Sequence, residues 1–417
     1  MHSPDEKAPA LTIWALGLTQ IVGYGTLFYS FSVLAPAMAQ ELLLPQQWVF
    51  GALSAALFLG SLFAPIAGRW ADRFGAGRVM TAGSLAASLA LAACALAPGR
   101  ISFVTALIAM ELASCFVLYA TAFAAIVQIG PVGAQRSITH LTLIAGFAST
   151  LFWPLTSLLH EHLTWREVYL VFAAMNLLIC LPIHAWLMRL SRRQKTATDV
   201  VVSNASVEHV PLDASQIRAA FLLMLAGFAI EGFVLSAILL HMVPLLSVLG
   251  LGTAGVMVAA LFGPSQVASR LINMVFGGRL PQTVLAVIAA SLLAAGLLTL
   301  VLTSPAIPGI AVFVVLFGLG SGLTSIVGGT LPLELFGRAG YGARLGWVSA
   351  ARQFSSSFAP FVLAFMMAQW SVEISLWSLV FIGSCGTAVF LLIALVARKA
   401  LLRALPPDGL VADSHSG

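Results

Sequence analysis

The chain has 417 residues, of which 60% are hydrophobic and 8% charged, and it carries a formal net charge of +5. Soluble globular domains carry roughly 25% charged residues. An apolar composition spread along the whole length excludes a soluble multidomain protein and describes a polytopic membrane protein. The basic excess is not a nucleic-acid footprint, because it falls in the short polar stretches between apolar runs.

The first seven residues, Met1 to Lys7, are short, polar and of mixed charge, so no cleaved signal peptide is expected. From there on, each apolar run of about 20 residues can cross a roughly 30 Å hydrocarbon core as a helix. Lipid leaves free backbone groups unsatisfied, and the alternation of a barrel strand is absent, so helices are required. Twelve spans are expected, near 11–38, 47–68, 79–97, 101–128, 137–159 and 168–188, then 219–246, 255–276, 283–302, 308–331, 345–368 and 375–397. The one long polar stretch, with Arg189, Arg192, Arg193 and Lys195 at its start and Pro211 near its end, separates two sets of six. The expected organisation is a first half over 1–188, a linker over 189–217, a second half over 218–400 and a tail over 401–417.

Crossing twelve times from an inside start places 16 of the 20 Lys and Arg in inner loops and tails. Only Arg100 and Arg166 fall in outer loops, while Arg270 and Arg352 lie within spans. This bias puts both termini in the cytoplasm. The halves also repeat. Pro36 and Pro244 near the ends of spans 1 and 7, and Arg136 and Arg344 before spans 5 and 11, are each 208 residues apart. Ala55-Ala56-Leu57-Phe58 recurs as Ala259-Ala260-Leu261-Phe262. Two six-helix halves with a site at their interface form a transporter arrangement. Cys94, Cys115, Cys180 and Cys385 are widely spaced inside apolar runs, so they indicate neither a disulfide frame nor a zinc site.

The most polar short run of the first half is Gly68-Arg69-Trp70-Ala71-Asp72-Arg73-Phe74-Gly75-Ala76-Gly77-Arg78. Its charges cannot sit in hydrocarbon, and it is expected as a tight aqueous turn between spans 2 and 3. Its pattern of Gly68, Asp72, Arg73, Gly75 and Arg78 resembles the loop between helices 2 and 3 of the major facilitator superfamily of secondary transporters. Span 11 starts on the same side, near Leu345, and free N–H groups make that end partly positive. Asp72 can dock there and latch the two halves, a role the resemblance also implies. Arg73 and Arg78 are expected to hold carbonyls, acids or lipid phosphates. The matching second-half loop, Gly277 to Pro281, has no acid, so the latch is one-sided.

Charges inside spans cost about 2.5–3.5 kcal/mol each at the bilayer centre on insertion scales. The candidates are Glu111, Glu231, Arg270 and Arg352, with His241 joining Glu231 on span 7. The resemblance implies that spans 1, 4, 7 and 10 line a central cavity and that spans 2, 5, 8 and 11 meet at the interface of the halves. Glu231 is the first choice for a titrating carboxylate. A fixed pair with Arg270 or Arg352 is the competing reading. For Glu111 the alternative is a helix cap, and for His241 a packing role. Gly23-Tyr24-Gly25-Thr26 is expected to break span 1 near its middle, letting Tyr24 or Tyr29 reach a ligand or only permitting close helix contact. Gln266 precedes Arg270 by four residues and shares its face.

Three further runs, Gly17 to Gly25, Phe152-Trp153-Pro154-Leu155 and Leu331 to Gly337, resemble a bacterial branch that includes arsenite and antimonite exporters. The drug-antiporter pattern of span 5 is not met by Gly146 through Pro154, and span 4 lacks the basic residue that many proton antiporters carry there. No Walker loop, catalytic triad or metal cluster appears, so neither an enzyme nor a cofactor is expected. The expectation is a monomeric carrier in a bacterial inner membrane, moving a small solute with protons. Efflux of arsenite or antimonite is the first reading, and import of a small organic anion such as a monocarboxylate is the alternative.

Overall fold

The computed structural model describes residues 9–130, 132–198, 210–251, 253–277 and 280–404. Every regular element among them is helical. In chain order they form α1 (Ala10–Glu41), α2 (Gln46–Phe74), α3 (Ala76–Ala95), α4 (Arg100–Ser114 and Tyr119–Ile129), α5 (Ala134–Ala145 and Ala148–His162) and α6 (Trp165–Leu190). The second half follows as α7 (Ala214–Leu246), α8 (Thr253–Ala259 and Phe262–Phe276), α9 (Gln282–Thr303), α10 (Ile307–Phe336), α11 (Tyr341–Gln369) and α12 (Val372–Ala404). Ten of these are long and apolar enough to cross a membrane. The other two are α8, which is cut short at Ala260–Leu261, and α11, which carries Arg344, Arg352 and the polar run Gln353 to Ser357. Both face the other half rather than lipid alone, which is why they tolerate polar residues.

Several expected boundaries change. The run beginning at Gly68 is not a loop: α2 stays helical to Phe74, and the turn into α3 is Gly75 alone, at φ 91°. Glycine adopts that backbone without a Cβ penalty. Span 1 is not broken at its glycines; it widens into a π-helical turn over Gly25–Tyr29. Span 4 is interrupted at residues 115–118, span 5 at Gly146–Phe147, and α11 begins at Tyr341 rather than near Leu345. The helix of α6 runs on to Thr198, into the expected linker, while positions 199–209 and 405–417 lie outside the described residues. The linker's end returns at Val210, whose N–H donates to the carbonyl of Glu334 at 3.1 Å. Asp213 caps α7, accepting the N–H groups of Ser215 at 2.9 Å and Gln216 at 2.8 Å. The Ser215 hydroxyl and these N–H groups hold its carboxyl below the usual carboxylate range.

The two halves repeat in their bonding, at positions where apolar residues cannot match by chance. Gln128, at the end of α4, accepts the first N–H of α3 from Ala76 at 2.8 Å. Glu334, at the end of α10, accepts the first N–H groups of α9 from Gln282 at 2.7 Å and Thr283 at 3.1 Å. Gln128 and Glu334 are 206 residues apart, as are Ala76 and Gln282. Each half thus closes an otherwise orphaned helix N-terminus from the same structural position.

The apolar core divides accordingly. At the end of the bundle away from Asp72, one buried cluster belongs wholly to the first half and another wholly to the second. At the Asp72 end, a single cluster crosses between them, packing Leu333, Tyr341 and Leu345 against Ala71, Ile126 and Ile138. The halves are therefore sealed together at one end. The arginines at the other end are tied into local structure within the first half. Arg100 donates to the carbonyls of Leu42 at 2.8 Å and Leu43 at 2.9 Å, and Arg166 pairs with Glu41 at 2.6 Å.

Candidate functional site

Two constellations lie on the seam between the halves. The first is at its sealed end. The carboxylate of Asp72 accepts the N–H of Gly342 at 2.9 Å and the N–H of Ala343 at 2.8 Å, capping the first turn of α11 from the opposite half. A carboxylate there meets both free donors and the positive end of the helix dipole. Glycines make the approach possible. A Cβ on Gly68 would lie 2.1 Å from the carbonyl oxygen of Gly342, and one on Gly342 would lie 2.6 Å from Asp72 Oδ1. One turn further on, a Cβ on Gly346 would lie 2.5 Å from the carbonyl oxygen of Ala64. Among the described residues neither loop arginine is bonded to a carbonyl or an acid. Arg73 lies over its neighbour Phe74, 5.2 Å from the ring centre, and Arg78 is exposed.

The second constellation lies deeper. The π turn in α1 inserts extra backbone between Tyr24 and Tyr29. Five residues apart on a regular helix, the two would point about 140° apart; here their rings are 6.4 Å apart. Thr26 within that turn accepts a buried hydrogen bond at 2.9 Å from Asn176, which opens a matching π turn in α6. The interruption of α4 delivers Tyr119 to the same place, 4.7 Å from Tyr24. Trp153 of α5 stands edge to face against Tyr29 at 5.8 Å. These tyrosines are deep in the bundle, yet each keeps part of its surface accessible, as groups lining an internal cleft do.

From the second half come two arginines. Arg270 is 5% exposed and donates through Nε to Ser325 at 3.1 Å. Its Nη1 is buried with no hydrogen-bond partner among the described residues. It reaches the interruption of α5, where a Cβ on Gly146 would come within 2.1 Å of Nη1. Arg352 is placed by close backbone contact of α11 with α7. A Cβ on Gly232 would lie 2.7 Å from the Arg352 carbonyl oxygen, and Ser356 donates to Gly232 at 2.9 Å. Both guanidinium groups act electrostatically on Tyr29 and Tyr119.

The expected acids divide. Glu231 is 3% exposed and lies within electrostatic reach of Arg352, but neither carboxylate oxygen has a hydrogen-bond partner among the described residues. The Thr324 hydroxyl beside it donates instead to Gly320 at 3.0 Å. Among the described residues no ion pair joins Glu231 to Arg270 or Arg352, and the interaction with Arg352 is through space. Glu111 does not join the cleft: its electrostatic neighbours are Cys94, Cys115 and Tyr169 inside the first half, and its Oε1 is unpartnered. Among the described residues it caps no neighbouring helix. His241 bonds back to the Ala237 carbonyl of its own helix at 3.0 Å, and no described contact joins it to the arginines. Gln266 shares the helix of Arg270 but donates to Ser321 at 2.7 Å, joining α8 to α10.

Tyr119, Ser325 and the cap Gly342 are not singled out by the sequence, and Trp153 and Gly146 enter it only within longer runs and not as site residues. Only Tyr119 had a usable signal, as one of five tyrosines in the chain.

A bundle of two repeated helical halves, packed together at one end and carrying two arginines and three partly accessible tyrosines along the seam, has the arrangement of a membrane transporter. The model of the Major Facilitator Superfamily matches residues 16–319, and the chain belongs to that family. It is a multi-pass secondary transporter and not an enzyme. A search of curated proteins finds no match. Among solved structures, the human organic anion transporter MFSD10 (TETRAN) superposes with a TM-score of 0.70 at 14% identity, covering 93% of this chain and 100% of that one. The proton:xylose symporter XylE bound to 6-bromo-6-deoxy-D-glucose gives 0.70 at 13% identity, covering 91% and 95%. A double-tryptophan mutant of XylE gives 0.73 at 14% identity, covering 94% and 98%. At these identities the likeness is one of fold.

Proposed function

We propose that the chain carries a small organic anion across the membrane by alternating access, with Arg270 and Arg352 as the cations that bind it. The supporting observation is Arg270: a guanidinium 5% exposed, reaching across the seam, with Nη1 unpaired among the described residues. A buried charge is costly unless paired. The one described in-span acid beside these arginines, Glu231, acts on Arg352. A ligand carboxylate supplies the missing partner, and Tyr29 and Tyr119 add hydroxyl donors with no described bond of their own. Tyr24 completes the lining.

Glu231 and the anion compete for Arg352. A proton on Glu231 releases that arginine to the ligand, so proton and anion travel together. Efflux of arsenite or antimonite has the three resembling sequence runs behind it. Those solutes are uncharged hydroxides at neutral pH and would leave Arg270 uncompensated, so the anion reading is preferred. The Asp72 seam acts as the latch of one closed state. The excess of Lys and Arg at its end supports a cytoplasmic location for that end and both termini, in the reading of a bacterial inner membrane. The carrier works as a monomer, with 1–188 and 218–400 as its rocking halves.

Proteoliposomes loaded and diluted to create a pH gradient test this reading. A panel of monocarboxylates, arsenite and antimonite is followed in both directions, for wild type and Arg270→Gln. Monocarboxylate uptake that follows the proton gradient and is lost in the variant is expected. Arsenite or antimonite flux without any carboxylate flux would overturn it.

A further inference from the structure

The arginines of the cleft call for an anion, and its walls say what else that anion carries. Three of the chain's five tyrosines meet there, brought by two departures from regular helix: the π turn of α1 and the interruption of α4. Tyr24 and Tyr119 lean on each other at 4.7 Å with planes 55° apart, and Tyr29 meets Trp153 at 5.8 Å and 81°. Trp153 remains 49% exposed, and the tyrosines keep part of their surface. An inorganic oxyanion or a two- or three-carbon acid would use the donors and leave the ring faces in contact with water. Covering those faces is favourable. Aromatic rings gain further from a flat, π-bearing partner in offset or edge-to-face contact, and a guanidinium stacks on the same kind of surface.

We propose that the solute is an aromatic carboxylate, a benzoate-like anion whose carboxylate meets Arg270 and Arg352 and whose ring lies against the accessible faces of the Tyr24–Tyr119 and Tyr29–Trp153 pairs. The proposal rests on the anion reading above. It assigns the donors to one end of the solute and the aromatic pairs to the other, so the two contributions are separable.

Equilibrium binding to the purified full-length protein, by calorimetry, with benzoate, cyclohexanecarboxylate, acetate and sulfate as probes, tests it. Two added ring contacts predict benzoate binding about tenfold or more tighter than acetate. Benzoate is also expected to bind more tightly than cyclohexanecarboxylate, which has similar bulk and no π face. Trp153→Leu should shrink the benzoate-to-acetate ratio by about three- to tenfold, and Trp153→Phe, which keeps a ring, should restore most of it. Acetate as tight as benzoate, equal binding of the saturated acid, or a Trp153→Leu ratio unchanged from wild type would overturn the aromatic assignment and leave the anion reading standing. If none of the four anions binds the folded protein, both fall together.

Discussion

Asp72→Asn should loosen the sealed end of the seam without unfolding the protein. The carboxylate spends both oxygens on α11, at 2.9 Å to Gly342 and 2.8 Å to Ala343. Asparagine keeps one acceptor and places an NH2 group against the second donor, so one bond to a charged acceptor is lost outright. Such bonds contribute about 1.5–3 kcal/mol. Asp72 is partly exposed, so water screens its charge and we take about 2 kcal/mol. At about 1.4 kcal/mol per factor of ten, the sealed state loses about thirtyfold against the state open at this end. The buried Ile138, which packs near Gly329 of the other half, reports on this. An Ile138→Cys reporter is introduced after the four native cysteines are replaced. Its labelling by a water-soluble maleimide should accelerate roughly in proportion in the Asp72→Asn background. Gly68→Ala should act in the same direction, because its Cβ meets a backbone carbonyl at 2.1 Å that cannot rotate away. A labelling rate within twofold of the reporter alone, in well-folded Asp72→Asn protein, refutes the argument that this cap holds the halves together.

Gly146→Ala should weaken anion binding at least tenfold, since its new Cβ meets the movable Nη1 of Arg270 first, at 2.1 Å, and the Leu143 carbonyl oxygen only at 3.1 Å; undiminished affinity in a binding titration would count against Arg270 as the anion's partner. Glu231→Gln mimics a permanently protonated residue: accumulation driven by a pH gradient should vanish while exchange of anion against anion survives, and unchanged gradient-driven transport would remove Glu231 from coupling. If instead the protein level falls and Arg352→Gln restores it, the residue has a structural role. For the orientation, a cysteine at the exposed Glu161 should be labelled by an impermeant reagent in intact cells and one at Arg403 should not; the reverse pattern would invert the topology.

How much of this is legible in the amino-acid sequence depends on what each feature is made of. The membrane class, the helical fold and ten of the twelve helices follow from apolar runs long enough to cross hydrocarbon, a property carried by the chain locally. Asp72 is also legible, because an acid among glycines at a span's end has few physical explanations. The cleft is legible only in part. In a chain 60% hydrophobic, lipid-facing and core-facing sides of a helix carry the same residues, so periodicity does not say which way a side chain points. Glu111 and Glu231 look equivalent in sequence, yet one lies toward Cys94 and Tyr169 inside the first half and the other beside Arg352.

Tertiary packing decided the rest. The π turn of α1 exists with Thr26 bonded to Asn176, 150 residues away. The place of Gly146 is set by an arginine from the other half, and the correspondence of Gln128 with Glu334 appears only once each is seen capping the next helix. Apolar length and charge are properties of a segment and can be read along it. Which helix faces which, and which polar group is left without a partner between them, depends on contacts between residues far apart in sequence, and no single segment contains that information.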